Sequence, residues 1–126
     1  MINKTLLKAS AAAYGVSLND TALDRFDTYA EELVTWNEKI NLTAITEPDE
    51  IVMKHFVDSI VVLSKVDIPK GASVLDIGTG AGFPGLALKI ARPDLNVTLL
   101  DSTEKKLKVV KDIAEKLGFT TDEQCP

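Results

Sequence analysis

The feature that most limits what this chain can fold into is the run Val74-Leu75-Asp76-Ile77-Gly78-Thr79-Gly80-Ala81-Gly82-Phe83-Pro84-Gly85. Branched apolar residues lead straight into closely spaced glycines. A short strand that ends this way must turn sharply, and glycine accepts the positive φ such a turn needs at no steric cost. Pro84 then opens a helix through Ala91, closed by Arg92-Pro93. Asn96 to Asp101 forms a second strand, because Val97-Thr98-Leu99-Leu100 suits a parallel strand covered on both faces. Ser102 or Thr103 caps a helix through Leu117, and Gly118 stops it. Strand, helix, strand, helix in this order predicts an α/β fold with a parallel sheet, the opening half of a doubly wound, Rossmann-like domain.

Ahead of this unit the texture is helical. Leu6, Leu7 and Ala11 suggest a short helix that ends near Gly15. Leu23, Phe26, Tyr29, Ala30, Leu33, Val34 and Ile40 follow three-and-four spacing, the mark of an amphipathic helix. Asn19 is placed to cap it, with Asp20 and Asp24 at the favourable end of the dipole. A third helix is expected from Thr46, with Pro48 in its first turn, Asp49 in a capping-box-like position, and Ile51, Val52, Phe56, Ile60 and Leu63 on its apolar face. Ile68-Pro69-Lys70-Gly71 breaks the pattern. The chain therefore divides into a helical N-terminal segment, 1–68, and an α/β half, 69–126. Thr120 to Pro126 is polar and unlike a third strand, so the domain reads as cut off after its second strand-helix unit.

Composition narrows the class. The 126 residues, 45% of them hydrophobic, suffice for one domain with a small appendage. No apolar run approaches the ~18 residues of a membrane span, and the N-terminus lacks a signal-peptide pattern. Cys125 is the one cysteine, so no internal disulfide forms and a reducing, cytoplasmic setting is expected. Fourteen basic against nineteen acidic residues give a net charge of −5. That balance argues against a free-standing nucleic-acid binder, whose affinity comes largely from neutralising phosphates. The excess acidity lies mostly in residues 1–72, with seven basic and eleven acidic side chains.

Three ligand classes use a glycine turn at the end of a strand. A phosphate-binding P-loop needs Lys and then Ser or Thr after its last glycine, whereas Leu86 and Ala87 follow Gly85 here, which excludes it. A nicotinamide dinucleotide fits the spelling Gly80-Ala81-Gly82-Phe83-Pro84-Gly85, with Asp101 placed as a ribose-binding acid. Against it stands Asp76, whose carboxylate would face a pyrophosphate at a cost of about 4 kcal/mol at ~4 Å and an effective dielectric of ~20. S-adenosylmethionine carries an ammonium and a sulfonium and no phosphate. For that ligand Asp76 becomes an asset, and Asp101 can still accept bonds from the ribose hydroxyls. Gly78, Gly80, Asp76 and Asp101 are therefore candidate cofactor-binding residues.

At these residues the chain resembles a named family, the bacterial small-subunit (16S) ribosomal RNA methyltransferase G, also called glucose-inhibited division protein B. One block of the resemblance is Trp36-Asn37-Glu38-Lys39-Ile40-Asn41-Leu42-Thr43-Ala44-Ile45 with Lys54-His55-Phe56-Val57-Asp58-Ser59. The other is Leu75 through Gly85, with Leu100-Asp101-Ser102 and Lys105-Lys106 behind it. The resemblance implies an S-adenosylmethionine-dependent methyltransferase acting on a guanine N7 in the 16S rRNA of the small ribosomal subunit. It also implies cofactor contact at Gly78 and Phe83, with Gly80 and Asp101 close by. Family members are longer, so further cofactor contacts and much of the RNA-facing surface would lie past Pro126, and weak or absent cofactor binding is expected of residues 1–126 alone. Two other readings stay open: an incomplete remnant without activity, and a fragment of a nicotinamide-dependent oxidoreductase.

Guanine N7 presents an exposed lone pair, so methylating it needs no general base and no covalent nucleophile, only in-line positioning. The chain offers no convincing base, and no catalytic or metal-binding residue is assigned. Plainer roles apply to most other polar residues: His55 as a packed or surface histidine, Trp36 as core, and Asn37 and Asn41 as caps of a helix end. Asp58 and Ser59 decorate a helix, with a hint from the family pattern of a link to the glycine loop. Lys105, Lys106, Lys108, Lys111 and Lys116 form a solvated helix face.

Overall fold

A computed structural model of the chain describes residues 1–119 and, as backbone, residues 122–124. The helical segment begins with α1, Lys4–Ala13, capped by Asn3, whose side chain accepts the Leu6 N–H at 3.0 Å. Helix α2, Asp20–Asn37, is capped as expected by Asn19, which accepts the Ala22 N–H at 2.8 Å. On its apolar stripe Phe26, Tyr29, Ala30 and Leu33 are fully buried, and Val34 is half-buried. The helix stops at Asn37, three residues short of the expected Ile40, which is left half-buried in the following turn.

The third helix departs from expectation. Its cap is Glu47, not Thr46; the Glu47 carboxylate accepts the Glu50 N–H at 2.9 Å. Regular helix then lasts only for α3, Pro48–Glu50, before the backbone widens into a π-helix, Ile51–Val57. Short helices α4, Asp58–Ile60, and α5, Val62–Lys65, complete the element. Ile51, Val52, Phe56 and Ile60 are buried as predicted, while Leu63 is half-buried. No helix among the described residues is long and apolar enough to cross a membrane.

The second half is a mixed α/β unit on a small parallel sheet. Strand β1, Ser73–Ile77, leads to α6, Gly85–Ala91; β2, Asn96–Leu100, leads to α7, Glu104–Lys116. β1 and β2 run in register from Ser73 opposite Asn96 to Ile77 opposite Leu100. A third parallel strand, β3, Asp122–Gln124, pairs with β2, so the expectation that Thr120–Pro126 holds no strand is corrected. Its backbone bonds to β2 do not depend on an apolar pattern, which is why this polar segment carried no strand signal. Cys125 lies outside the described residues.

Sheet order β1-β2-β3 leaves β1 at an edge, with Leu75 58% and Ile77 72% exposed. On the opposite face Asp76, Val97 and Leu99 are buried under α6, where Leu86 and Ile90 have no exposure. A single hydrophobic cluster runs from α1 and α2 through the π-helix into α6, β2 and α7. Phe56 is its aromatic hinge, with ring centroids 4.7 Å from Phe26 and 5.4 Å from Tyr29. Polar contacts close the seam between α2 and α7: Trp36 donates to Asp112 at 3.3 Å, Arg25 donates to the Leu117 carbonyl at 3.0 Å, and Lys116 pairs with Glu32 at 3.2 Å.

This packing sets the scale of mutational effects. Phe56→Ala should cost about 3–5 kcal/mol of folding stability, because it leaves a cavity at a site with no room to collapse. Ile77→Ser, on the open sheet face, should change stability by less than about 0.5 kcal/mol. Urea denaturation of both variants checks the contrast, and equal effects would contradict the described core.

Candidate functional site

The turn between β1 and α6 lies at the carboxyl end of the parallel strands, where ligands of α/β sheets bind. It is tied to β2 by three backbone donors. The N–H groups of Gly78 and Thr79 reach the Leu100 carbonyl at 2.7 and 3.1 Å, and the Gly80 N–H reaches Asp101 Oδ2 at 2.8 Å. Asp101 Oδ1 accepts the Thr103 N–H at 2.8 Å, which orders the start of α7. These donors, Thr103 first and Gly80 second, hold the Asp101 carboxyl below its usual range, so it is ionised at neutral pH. Asp101 is partly exposed at the rim of the turn.

The glycines fall into two pairs with different jobs. Gly78 and Gly80 take φ of +73° and +55°, and a Cβ built on either meets nothing within 4 Å. Their backbone faces open space, as a ligand floor requires. At Gly82 (φ +100°) a Cβ would lie 2.5 Å from Tyr29 Oη, and at Gly85 one would lie 2.7 Å from Leu99 Cδ2 and 2.8 Å from Asp76 Oδ2. These two glycines let the protein pack against itself.

Asp76 is buried at 7% exposure, behind the turn. Its Oδ2 accepts from Thr79 Oγ1 at 2.7 Å and from the Gly85 N–H at 2.9 Å. The carboxylate thus occupies the N-terminus of α6, where an anion would otherwise be welcome. The structure therefore brings Gly78, Gly80 and Asp101 together at one open surface and sets Asp76 beneath it. Phe83 is half-buried beside them, its ring stacked on Tyr29 with centroids 5.1 Å apart and on His55 at 4.4 Å.

Two contributors were not singled out in the sequence. Tyr29 reads there as one more residue of an amphipathic stripe, yet its hydroxyl is fully buried and donates to the Ala81 carbonyl at 2.7 Å. Burial, and after it the nearby Asp76 charge, raises the phenol well above its ordinary pKa, so it keeps the proton it donates. The available signal was physical: a buried phenol needs an acceptor. Thr79, buried at 2%, is the other, as the side chain that ties Asp76 to the turn. His55 is a packed histidine as expected, and Asn37 holds the segment after α2 by accepting from the N–H groups of Leu42 and Thr43 at 2.8 and 3.1 Å.

The family model for rRNA small subunit methyltransferase G matches residues 22–124. The chain belongs to this family. It is 48% identical over 114 residues to the ribosomal RNA small subunit methyltransferase G of Desulforamulus reducens, covering 90% of this chain and 48% of that relative. Identity to the protein of the same name from Listeria monocytogenes serotype 4b is 45% over 119 residues, covering 94% of this chain and 50% of the relative. The corresponding protein of Clostridium perfringens strain 13 is 46% identical over 114 residues. The chain spans about half the length of the curated relatives it matches. The family match contains the whole turn together with Tyr29, His55 and Phe83, the rings packed against it.

Burial lowers the pKa of His55, and the neighbouring Asp58 opposes that shift only in part. The folded protein thus prefers a neutral imidazole, whereas the unfolded chain takes up a proton near the ordinary value of about 6.5. Stability from this source is complete above that value and is lost as the pH falls below it, because the unfolded state then binds more protons. The melting temperature should fall between pH 7.5 and pH 5.5, and His55→Phe should reduce that fall. An identical pH slope in the variant would contradict the neutral, packed state of His55.

Proposed function

We propose that this chain supplies the cofactor-binding half of a Rossmann-like methyltransferase domain, with residues 1–68 as its helical buttress. In the whole protein this domain would transfer a methyl group from S-adenosylmethionine to N7 of a guanine in 16S rRNA. The partner is the small ribosomal subunit, and the cytoplasm is where the two meet. One observation carries the choice of cofactor: the Asp76 carboxylate fills the anion position at the start of α6, directly under the glycine turn. A pyrophosphate set on this turn would find the Gly85 N–H already taken and a negative charge behind it. A cationic nucleoside benefits from the same charge.

The residues present fit that group. Gly78 and Gly80 leave a floor that side chains would obstruct. Asp101, ionised at the rim, has lone pairs left for ribose hydroxyls after serving Gly80 and Thr103. Phe83, packed against the rings of Tyr29, His55 and Phe56, flanks the same turn. Bound there, S-adenosylmethionine would supply an electrophilic methyl group on a sulfonium. Guanine N7 needs no proton removed before it attacks, so the chain's task is to hold the donor in line and keep water away. The turn does the holding through backbone that is already ordered.

The direct test follows backbone amide resonances of the full-length protein while S-adenosylhomocysteine or NADH is added to millimolar concentration, so that weak binding also registers. S-adenosylhomocysteine should shift the amides of Gly78, Gly80 and Asp101 saturably, with NADH leaving them in place. Gly78→Val should weaken the response at least about ten-fold, because its side chain would enter the ligand space. Saturable shifts with NADH alone would overturn the reading in favour of a nicotinamide enzyme, and no shift with either ligand would favour a remnant without a cofactor.

A further inference from the structure

We propose that His55 is a positioning residue for the glycine turn, acting through a stack of rings that ties the helical segment to the floor of the candidate site. Phe83, at the end of the turn, lies nearly parallel to the His55 imidazole, at 4° and 4.4 Å between centroids. It is also stacked on Tyr29 at 13° and 5.1 Å. Tyr29 grips the turn a second time, through its hydrogen bond to the Ala81 carbonyl. The turn is therefore held from the helical side at residues 81 and 83, as it is held from β2 at residues 78–80.

The imidazole is itself oriented. Its Nε2 lies 2.7 Å from Thr43 Oγ1, and that hydroxyl oxygen also accepts the Ile45 N–H at 3.0 Å. Asn37 anchors the same segment through the N–H groups of Leu42 and Thr43. A line of contacts thus runs from the end of α2 through Asn37, Thr43, His55 and Phe83 into the turn. Within the π-helix, Phe56 packs against Phe26 and Tyr29 and lies 6.0 Å from the Phe83 ring, while the preceding His55 stacks directly on Phe83. Departures from α geometry of this kind often mark functional positions. A histidine that only filled space would need no oriented partner. Here a hydrogen bond sets the ring plane on one side and stacking transmits it on the other.

The test has two arms, and only the second rests on the cofactor reading. In the first, amide hydrogen exchange is measured without ligand on the full protein. His55→Ala should speed exchange at Gly78, Gly80 and Gly82 by about ten-fold or more, while Val97 and Leu99 in β2 keep their rates. His55→Phe, which keeps a stacked ring but lacks the bond to Thr43, should restore part of the protection. Thr43→Val, which keeps the imidazole and removes the same bond, should fall short of full protection in the same way, and it stands in if the alanine variant fails to fold. Turn amides that exchange at the original rate in His55→Ala or in Thr43→Val would overturn the inference. So would a uniform change across all amides, the signature of a merely structural loss. In the second arm, affinity for S-adenosylhomocysteine should drop in His55→Ala and recover in His55→Phe. If the unaltered protein ignores that ligand, the cofactor reading fails, and the exchange data still decide the role of His55.

Discussion

The site depends on the anchoring of one flexible turn. Gly78 and Gly80 adopt backbone conformations that other residues avoid, and such positions lose more conformational entropy on folding than any others. Left alone, the segment would sample many shapes. Three N–H groups bound to the end of β2 remove that freedom on one side. The Tyr29 hydroxyl and the Phe83 stack remove it on the other. A floor ordered before the ligand arrives saves the ligand that ordering cost, which is the physical content of preorganisation.

Charge follows from the same anchoring. Asp76 and Asp101 leave consecutive strands at matching ends, yet they do different work. Asp101 stands at the rim, ionised and partly exposed, tying Gly80 to the start of α7. Asp76 is buried, with Thr79 and Gly85 donating to it, as a buried carboxylate requires. One carboxylate is left partly open to solvent at the rim, and the other is a buried strut between the turn and the start of α6. The two acids that the sequence marks as candidate cofactor-binding residues thus lie in two layers, Asp101 at the rim and Asp76 behind the turn.

Much of the architecture was legible in the residues. Asn19 before the α2 stripe, Ser73–Ile77 running into glycines, and the alternation of strands and helices after residue 72 all specify elements locally, and all formed. What escaped depends on partners distant in sequence. The π-helix keeps a helical apolar spacing, so periodicity alone reads it as ordinary helix. β3 takes its bonds from β2 and has no pattern of its own. The division of the glycines into an open pair and a packed pair is set by Tyr29, Leu99 and Asp76, and spacing cannot reveal it. The family block around Trp36 and His55 was visible as a resemblance, and its physical meaning emerges only once His55 is seen against Phe83.

The most direct examination of the central claim is a crystal structure of the protein grown with S-adenosylhomocysteine. The account predicts density lying over Gly78 and Gly80, with the ribose hydroxyls within hydrogen-bonding reach of Asp101 and the turn unmoved. Ligand density elsewhere on the sheet, or a turn rebuilt so that Asp76 swings out from under α6 to meet the ligand, would contradict it.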